Sequence, residues 1–307
     1  MDIFLQQIIN GLVLGSIYAL VALGYTMVYG ILGLINFAHG EVVMIGALTA
    51  LTVVKLLANS GLPGPIIVLA GLSVAAAVCM ALGFTIERVA YRPLRTAPRL
   101  APLITAIGVS IVLQQVMMLI WGRSYHTFPP LLPATARHFL GAQITDTQII
   151  IVALAGIVMT GLLALVNYTR LGRAMRATAE NPSIAALMGV NINRIISVTF
   201  VIGSGLAALA GVMVSANYSI AHYHMGFILG LKAFTAAVLG GIGNLAGAMV
   251  GGVLLGLIES LGAGYIGDLT GGFLGSHYQD VFAFFVLILV LVLRPSGLLG
   301  EKVAERA

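Results

Sequence analysis

The segment 30–41, Gly-Ile-Leu-Gly-Leu-Ile-Asn-Phe-Ala-His-Gly-Glu, places polar side chains between two long apolar stretches. Polar groups at membrane depth are costly unless they face a cavity or a partner. A break between two helices offers amide donors to a carboxylate and acceptors to an ammonium group, as discontinuous helices do in transporters. The segment therefore predicts contact with a solute that carries such groups. The candidate residues are Asn36, Phe37, His39, Gly40 and Glu41.

The same segment also allows a purely structural interpretation. Asn36 is a residue type that caps helices, and Glu41 would then lie in the first turn of the helix that follows. The sequence leaves both roles open.

A second unusual segment, 240–247, reads Gly-Gly-Ile-Gly-Asn-Leu-Ala-Gly. It lacks the lysine of a phosphate-binding loop and lies in an apolar region, so it predicts no nucleotide site. It predicts either a break between helices near a solute pathway or close helix packing. Its candidate pathway residues are Gly240, Gly241, Gly243 and Asn244.

Ionisable side chains elsewhere in apolar stretches carry weaker signals. Glu259, Lys232 and Lys55 are expected to reach the membrane interface, because long charged side chains near helix ends snorkel there. A proton relay would need a chain of such groups. His222 and His224 lack a neighbouring carboxylate or cysteine, so no metal or other cofactor is expected. Ser204 has no nearby base, which argues against an intramembrane serine hydrolase. A membrane enzyme is the least favoured of the three functional classes, and the chain is expected to be non-catalytic.

Composition defines the class of protein. Over 307 residues, 60% are hydrophobic and 8% are charged, and the mean hydropathy is +1.07. A water-soluble domain carries about 25% charged residues. The exterior must therefore face lipid, and the chain is expected to be one integral membrane domain over residues 1–307.

The net charge of +5 has a membrane explanation. Most arginines lie in short loops between apolar stretches, as the positive-inside rule requires, and no basic helix with interleaved aromatic residues occurs. Nucleic acid is not expected as a partner. The one cysteine, Cys79, lies inside an apolar stretch and cannot form an internal disulfide.

Hydropathy predicts an all-α polytopic bundle of about 8–9 transmembrane helices, since a spanning helix needs about 20 apolar residues. The last three candidates are shorter and broken by glycine, which suggests that one or two of them are broken or re-entrant helices. Nine crossings are favoured, and seven with re-entrant pieces is the alternative. The predicted spans are 3–29, 41–58, 65–87, 101–121, 147–166, 195–217, 227–242, 245–263 and 279–293.

Arginine-rich loops set the predicted orientation. Loops 88–100 and 168–194 each contain four arginines and should be cytoplasmic, whereas loop 122–146 has two and should face outward. Counting back places the N-terminus outside, and the C-terminal tail should lie inside.

Loop 168–194 contains a short predicted helix. Asn181-Pro182 begins it, Gly189 ends it, and Ala185, Ala186 and Met188 would form a small apolar face. Such a helix either connects two spans in solvent or lies on the surface of a partner.

Residues 24–41, Gly-Tyr-Thr-Met-Val-Tyr-Gly-Ile-Leu-Gly-Leu-Ile-Asn-Phe-Ala-His-Gly-Glu, closely resemble the hallmark segment of LivH-like permeases of branched-chain amino-acid ABC importers. Residues 171–182 with 185–191 resemble that family's cytoplasmic loop, and 232–244 resemble its glycine-rich segment. The resemblance covers nearly the whole chain in the same order.

The resemblance implies an ABC importer permease fold in the bacterial inner membrane. It also implies several partners: a second, LivM-like permease subunit, two LivG/LivF-like ATP-binding subunits and a periplasmic binding protein. The short helix in 168–194 would be the coupling helix that docks on an ATPase. The coupling residues by this resemblance are Arg173, Arg176, Glu180, Asn181, Ala185 and Gly189.

Substrate identity stays open at this point. Permeases for urea and amides carry a similar Asn-x-Ala-His-Gly-Glu segment, although Phe37 favours the amino-acid branch. A stand-alone ion-coupled transporter is the alternative mechanism, with His39, Glu41 and Glu259 on an ion route. The chain has no phosphate loop of its own, so ATP hydrolysis would require separate subunits.

Overall fold

A computed structural model describes residues 2–95, 97–98, 100–130, 135–139, 141–271 and 278–300. Helices dominate these residues, because only closed intrahelical hydrogen bonding or a closed barrel lets a backbone cross lipid. The α-helices are α1 (Asp2–Leu32), α2 (His39–Leu57), α3 (Gly64–Ile86), α4 (Leu100–Trp121), α5 (Asp146–Tyr168), α6 (Arg170–Glu180), α7 (Pro182–Leu187), α8 (Ile192–Tyr218), α9 (Met225–Gly240), α10 (Leu245–Leu269) and α11 (Gln279–Leu293).

Shorter elements join some of these helices. A π-helical turn (Glu87–Tyr91) and a 3₁₀ turn (Arg92–Leu94) follow α3. Four short strands form two antiparallel pairs: β1 (His126–Thr127) pairs with β4 (Ile220–Ala221), and β2 (Ala136–Phe139) pairs with β3 (Ala142–Thr145).

Seven described helices are long and apolar enough to cross a membrane, and two shorter apolar helices, α9 and α11, accompany them. The predicted all-α polytopic membrane fold is confirmed. The candidate span 245–263 proves to be the start of a 25-residue helix, α10, rather than a broken one. Its glycines lie against neighbouring helices instead of interrupting it.

The central contact joins α1 to α10 through glycines. A Cβ on Gly15 would clash with the backbone of Val253, and one on Gly256 would clash with the backbone of Gly15. Gly11 likewise lies against the backbone of Leu257. This close approach is what small residues four positions apart allow in membranes.

Contacts between loops show which helix ends share a side of the bundle. The Gln6 side chain bonds to the backbone of Gln143, so the start of α1 lies beside the start of α5. The pairing of β1 with β4 places the end of α4 beside the end of α8. On the opposite side, Leu298 N donates to Leu239 O, next to the end of α9. Because α9 follows β4 within a few residues, its end lies on the opposite side of the bundle from the end of α8.

Candidate functional site

The turn 33–38 separates α1 from α2 inside the bundle. Gly33 has a φ of +63°, a left-handed conformation that glycine adopts without strain. The buried Asn36 accepts two hydrogen bonds at Oδ1, from Ala38 N at 3.1 Å and from the Tyr91 hydroxyl at 3.0 Å. The carboxamide oxygen is thus used to hold the turn, which favours the structural interpretation of Asn36.

The first residues of α2 lie deep among other helices. His39 is buried, its ring contacts the Tyr25 ring edge-on at 4.9 Å, and its Nε2 has no hydrogen-bond partner among the described residues. A Cβ on Gly24 of α1 would clash with that ring. Gly24 is therefore the residue that makes room for His39 between the helices.

Glu41 is a buried carboxylate without a cation. Its Oε1 accepts a hydrogen bond from Ser110 of α4 at 3.1 Å, whereas its Oε2 has no partner, and no ion pair to it occurs among the described residues. Isolated carboxylates are expensive to bury, so a group in this position is a candidate for function. Ser110, which donates to Glu41, also lines a cavity beside α4.

A cavity of about 350 Å³ opens between α1, α4, α9 and the 33–38 turn. Such a volume lies within the range of small-molecule sites. Most of its wall is aromatic or aliphatic, and Ser110, Gln114 and His224 supply polar atoms. The apolar wall includes Tyr25, Phe37, Ile107, Ile111, Phe227 and Leu231. Of the five candidates in segment 30–41, Phe37 lines the cavity directly.

The glycine-rich turn after α9 is held against residues 297–300. Gly241 and Gly243 have φ values of +106° and +99°, and Gly241 lies against Gly300 without room for a Cβ. Asn244 uses its side chain twice, donating to Leu299 O at 2.9 Å and accepting from Gly247 N at 3.0 Å. These contacts favour close packing for this segment.

Gly243 alone of that turn also borders a groove. The groove has a volume of about 100 Å³ and lies between α1, α5 and α6. Gly30 of α1 and Arg176 of α6 belong to its wall, so the structure brings one coupling candidate beside the glycine-rich turn. Segment 30–41 therefore borders both openings, because Gly30 and Ile31 line this groove with Gly243 and Phe37 lines the cavity.

The segment 168–194 folds as two helices with clear caps. Thr169 accepts from Gly172 N at 3.0 Å, and Asn181 accepts from Ile184 N at 3.1 Å to begin α7. Gly189, with a φ of +86°, ends it. These caps agree with the helix start and end expected from the sequence.

Exposure shows which face of α7 is available to a partner. Ala185 is buried, whereas Ile184, Leu187 and Met188 are 59%, 87% and 80% exposed. Of the predicted apolar face, Ala186 and Met188 are exposed and Ala185 is buried, and Ile184 and Leu187 extend the exposed face. Arg173, Glu180 and Asn181 are also exposed.

Two buried ion-pair clusters escaped the sequence analysis. Glu87, at the end of α3, pairs with Arg92 at 2.9 Å and with Arg95. Lys232 of α9 pairs with Glu259 of α10 at 2.6 Å and with Asp280 of α11 at 2.7 Å. The expectation that Lys232 and Glu259 snorkel to the interface was wrong, because each neutralises the other within the bundle.

Tyr18 completes the second cluster. Its hydroxyl donates to Glu259 Oε2 at 2.9 Å, and the Lys232 ammonium lies 5.8 Å from the centre of its ring. Buried charges that are paired and hydrogen-bonded avoid most of the cost of leaving water. The cluster ties α1, α9, α10 and α11 together.

His222, His224 and Ser204 show no catalytic arrangement with other residues in the described part of the chain. His224 Nδ1 lies 2.5 Å from Gln114 Nε2, and His222 stacks on Tyr125. Among the described residues, no group of three or more metal-binding side chains comes together. Ser204 packs against Gly83, where a Cβ would meet its hydroxyl.

Comparison with known proteins gives matches along almost the entire chain. Residues 7–291 match the family described as the permease component of branched-chain amino acid transport systems. The permease protein BraD of Pseudomonas aeruginosa, from a high-affinity branched-chain amino acid transport system, is 49% identical over 99% of this chain and 98% of its own length. LivH of Escherichia coli K12, from the same kind of system, is 45% identical over 99% of this chain and 97% of its own length.

Proposed function

The chain belongs to the family of permease components of branched-chain amino acid transport systems, and from this we propose that it is the membrane subunit of an ATP-driven importer that moves branched-chain amino acids across the bacterial inner membrane. The observation that carries the proposal is the 45–49% identity to BraD and LivH over nearly the full length of all three chains. The substrate class of those two transport systems, branched-chain amino acids, is the one proposed for this chain.

The cavity beside the 33–38 turn supports a pathway for such solutes. Its apolar wall, with Phe37 and Ile111, suits an aliphatic side chain, and Ser110 and Gln114 offer polar atoms to the charged end of an amino acid. Neither of these polar groups carries a charge. A pathway of this kind binds weakly and releases its cargo, as transport requires.

Energy would come from separate ATP-binding subunits, because this chain lacks a phosphate loop. The exposed face of α7, formed by Ile184, Leu187 and Met188, is the proposed contact with one of them. The further partners are a second permease subunit, a second ATP-binding subunit and a periplasmic binding protein that delivers the substrate. Alternating access of the cavity to the two membrane faces is the proposed mechanism.

Competition in cells tests the substrate. A strain without this chain is complemented with it, and uptake of radiolabelled leucine is measured. We expect restored uptake that excess isoleucine or valine suppresses and excess urea leaves unchanged. Restored uptake of urea without uptake of leucine would instead identify a urea permease of the same family.

Cysteine labelling tests the proposed orientation. Cys79 is buried and should give little background. Cysteine replaces the exposed Tyr125 or the exposed Leu187 in turn, and intact spheroplasts receive a membrane-impermeant thiol reagent. We expect labelling of the Tyr125 variant alone. Labelling of the Leu187 variant alone would reverse the orientation and remove α7 from the cytoplasm.

A further inference from the structure

The fully buried carboxylate of Glu87 joins three elements of the fold. Arg92 donates to Oε2 at 2.9 Å, and Arg95 donates to Oε1. The Ser197 hydroxyl of α8 donates to Oε2 at 2.8 Å, and Arg92 also donates to Ser197 at 2.9 Å. One carboxylate thus fixes the turn after α3 to the first two turns of α8.

Helix α8 connects the cluster of Glu87, Arg92 and Arg95 to α7. Arg95 donates to Asn193 Oδ1 at 2.6 Å, in the first turn of that helix. The chain immediately before this turn is bound to α7, because Val190 N donates to Ala185 O at 3.0 Å. Only Asn191 and Ile192 separate Val190 from Asn193, so a displacement of α7 would be passed to Asn193 along a short piece of backbone.

The cluster reaches the cavity through Tyr91. Tyr91 and Glu87 lie in the same π-helical turn, and both are buried. The Tyr91 hydroxyl donates to Asn36, whose side chain also holds Ala38 N at the entrance to α2. A shift of Tyr91 would release or tighten the turn that carries Phe37 into the cavity wall.

The π-helical turn is the irregular element in this connection. Its i→i+5 hydrogen bonds place one more residue in the turn than an α-helix does, and such turns are frequent at functional sites. Conversion of Glu87–Tyr91 to an α-helical turn would shift the residues after it by one position. Because unpaired buried charges are costly, Glu87, Arg92 and Arg95 must then move together.

We propose that Glu87 is a positioning residue that couples α7 to the substrate cavity, through Arg95 and Asn193 on one side and through Tyr91 and Asn36 on the other. This inference rests on the proposed function, since it assigns the route by which an ATPase bound at α7 acts on the pathway. Glu87 contacts neither the cavity nor the exposed face of α7. It acts by keeping the position of Tyr91 fixed relative to that of Asn193.

The test is a double-mutant cycle in the complete transport complex, reconstituted in proteoliposomes. Asn193→Ala removes the side-chain oxygen that accepts from Arg95, at an exposed position. Tyr91→Phe removes the hydroxyl that donates to Asn36. Arg88→Ala is the matched control, because Arg88 lies in the same π-helical turn but its guanidinium rests over Phe84. Leucine uptake and ATP hydrolysis are measured together for each variant.

The quantity of interest is leucine imported per ATP hydrolysed, which a loss of folded protein alone does not change. We expect each single variant to lower this ratio by about 2- to 30-fold, the range of couplings that residues between two sites contribute. The double variant should be no worse than the poorer single variant, since both interrupt one route. Arg88→Ala should keep the wild-type ratio.

Two results overturn the inference. Unchanged ratios in both single variants would show that the route carries no coupling, and a double variant whose defect is the product of the two single defects would show two independent effects. Wild-type complex that hydrolyses ATP without importing leucine would instead contradict the proposed function itself. The wild-type measurement therefore separates the two failures.

Discussion

Gly40 and Gly226 meet backbone to backbone where the start of α2 crosses α9. A Cβ on Gly40 would clash with the Gly226 carbonyl oxygen, and one on Gly226 would clash with Gly40 and with Glu41 Oε2. This crossing places the Glu41 carboxylate next to Gly226 of α9. The cavity beside it shares Gly230, which lies on the same face of α9 one turn later.

Gly40→Ala should therefore destabilise the protein. The added methyl group has no space, and overpacking of this kind costs about 1–3 kcal/mol. Gly108→Ala in α4 is the matched control, because a Cβ there meets nothing within 4 Å and alanine favours a helix. Heating in detergent followed by size-exclusion chromatography gives the melting temperature of each variant. Equal melting temperatures for the two variants would refute the close crossing.

Asn36→Leu should lower leucine uptake at least about tenfold. It leaves the Tyr91 hydroxyl and Ala38 N without their buried acceptor, which costs about 1–3 kcal/mol for each group. Asn36→Asp keeps an acceptor oxygen and should retain more uptake. The comparison is made at equal amounts of inserted protein, and unchanged uptake by the leucine variant would count against a role for this turn in transport.

Gly189→Val should weaken binding of the ATP-binding subunits. A left-handed conformation costs a residue with a Cβ about 1–2 kcal/mol, so valine would displace the end of α7. Gly189→Asn is the control, because asparagine tolerates this conformation. Co-purification of the ATP-binding subunits gives the readout. Full co-purification with the valine variant would argue that α7 does not form the contact.

Lys232→Met should strongly destabilise the bundle, by about 3–5 kcal/mol, because it leaves Glu259 buried without its cation. Adding Glu259→Gln removes the orphaned charge and should restore part of the stability. Lys55→Met removes an exposed lysine near the end of α2 and should have little effect. A double variant as unstable as Lys232→Met alone would show that the pair is not the source of the loss.

Hydropathy predicted the helices because apolar length is a local property of the sequence. The caps of α7 were also predictable, since Asn181 and Gly189 act within a few residues of themselves. Ala186 and Met188 are exposed as predicted, but the burial of Ala185 was not predictable, because its packing against the rest of the protein depends on neighbouring elements. The close packing of the glycines in α10 could not be predicted either, because it depends on contacts with α1, α9 and α11.

The partners of the charged groups in the two ion-pair clusters could not be predicted from the sequence either. Glu87 binds Ser197, which lies 110 positions away, and Lys232 binds Glu259, which lies 27 positions away. Positive charge in loop 88–100 was apparent, but nothing local indicated that Arg92 and Arg95 share one buried carboxylate. Partners of buried charges are fixed by the tertiary fold, which a single sequence does not display.

Uptake by purified components tests the central claim most directly. The chain is reconstituted in liposomes with its second permease subunit and the two ATP-binding subunits, and leucine accumulation is followed with the binding protein present. We predict accumulation that requires ATP and the binding protein and that persists without any ion gradient. Leucine uptake by the chain alone, driven by a proton or sodium gradient, would contradict the account.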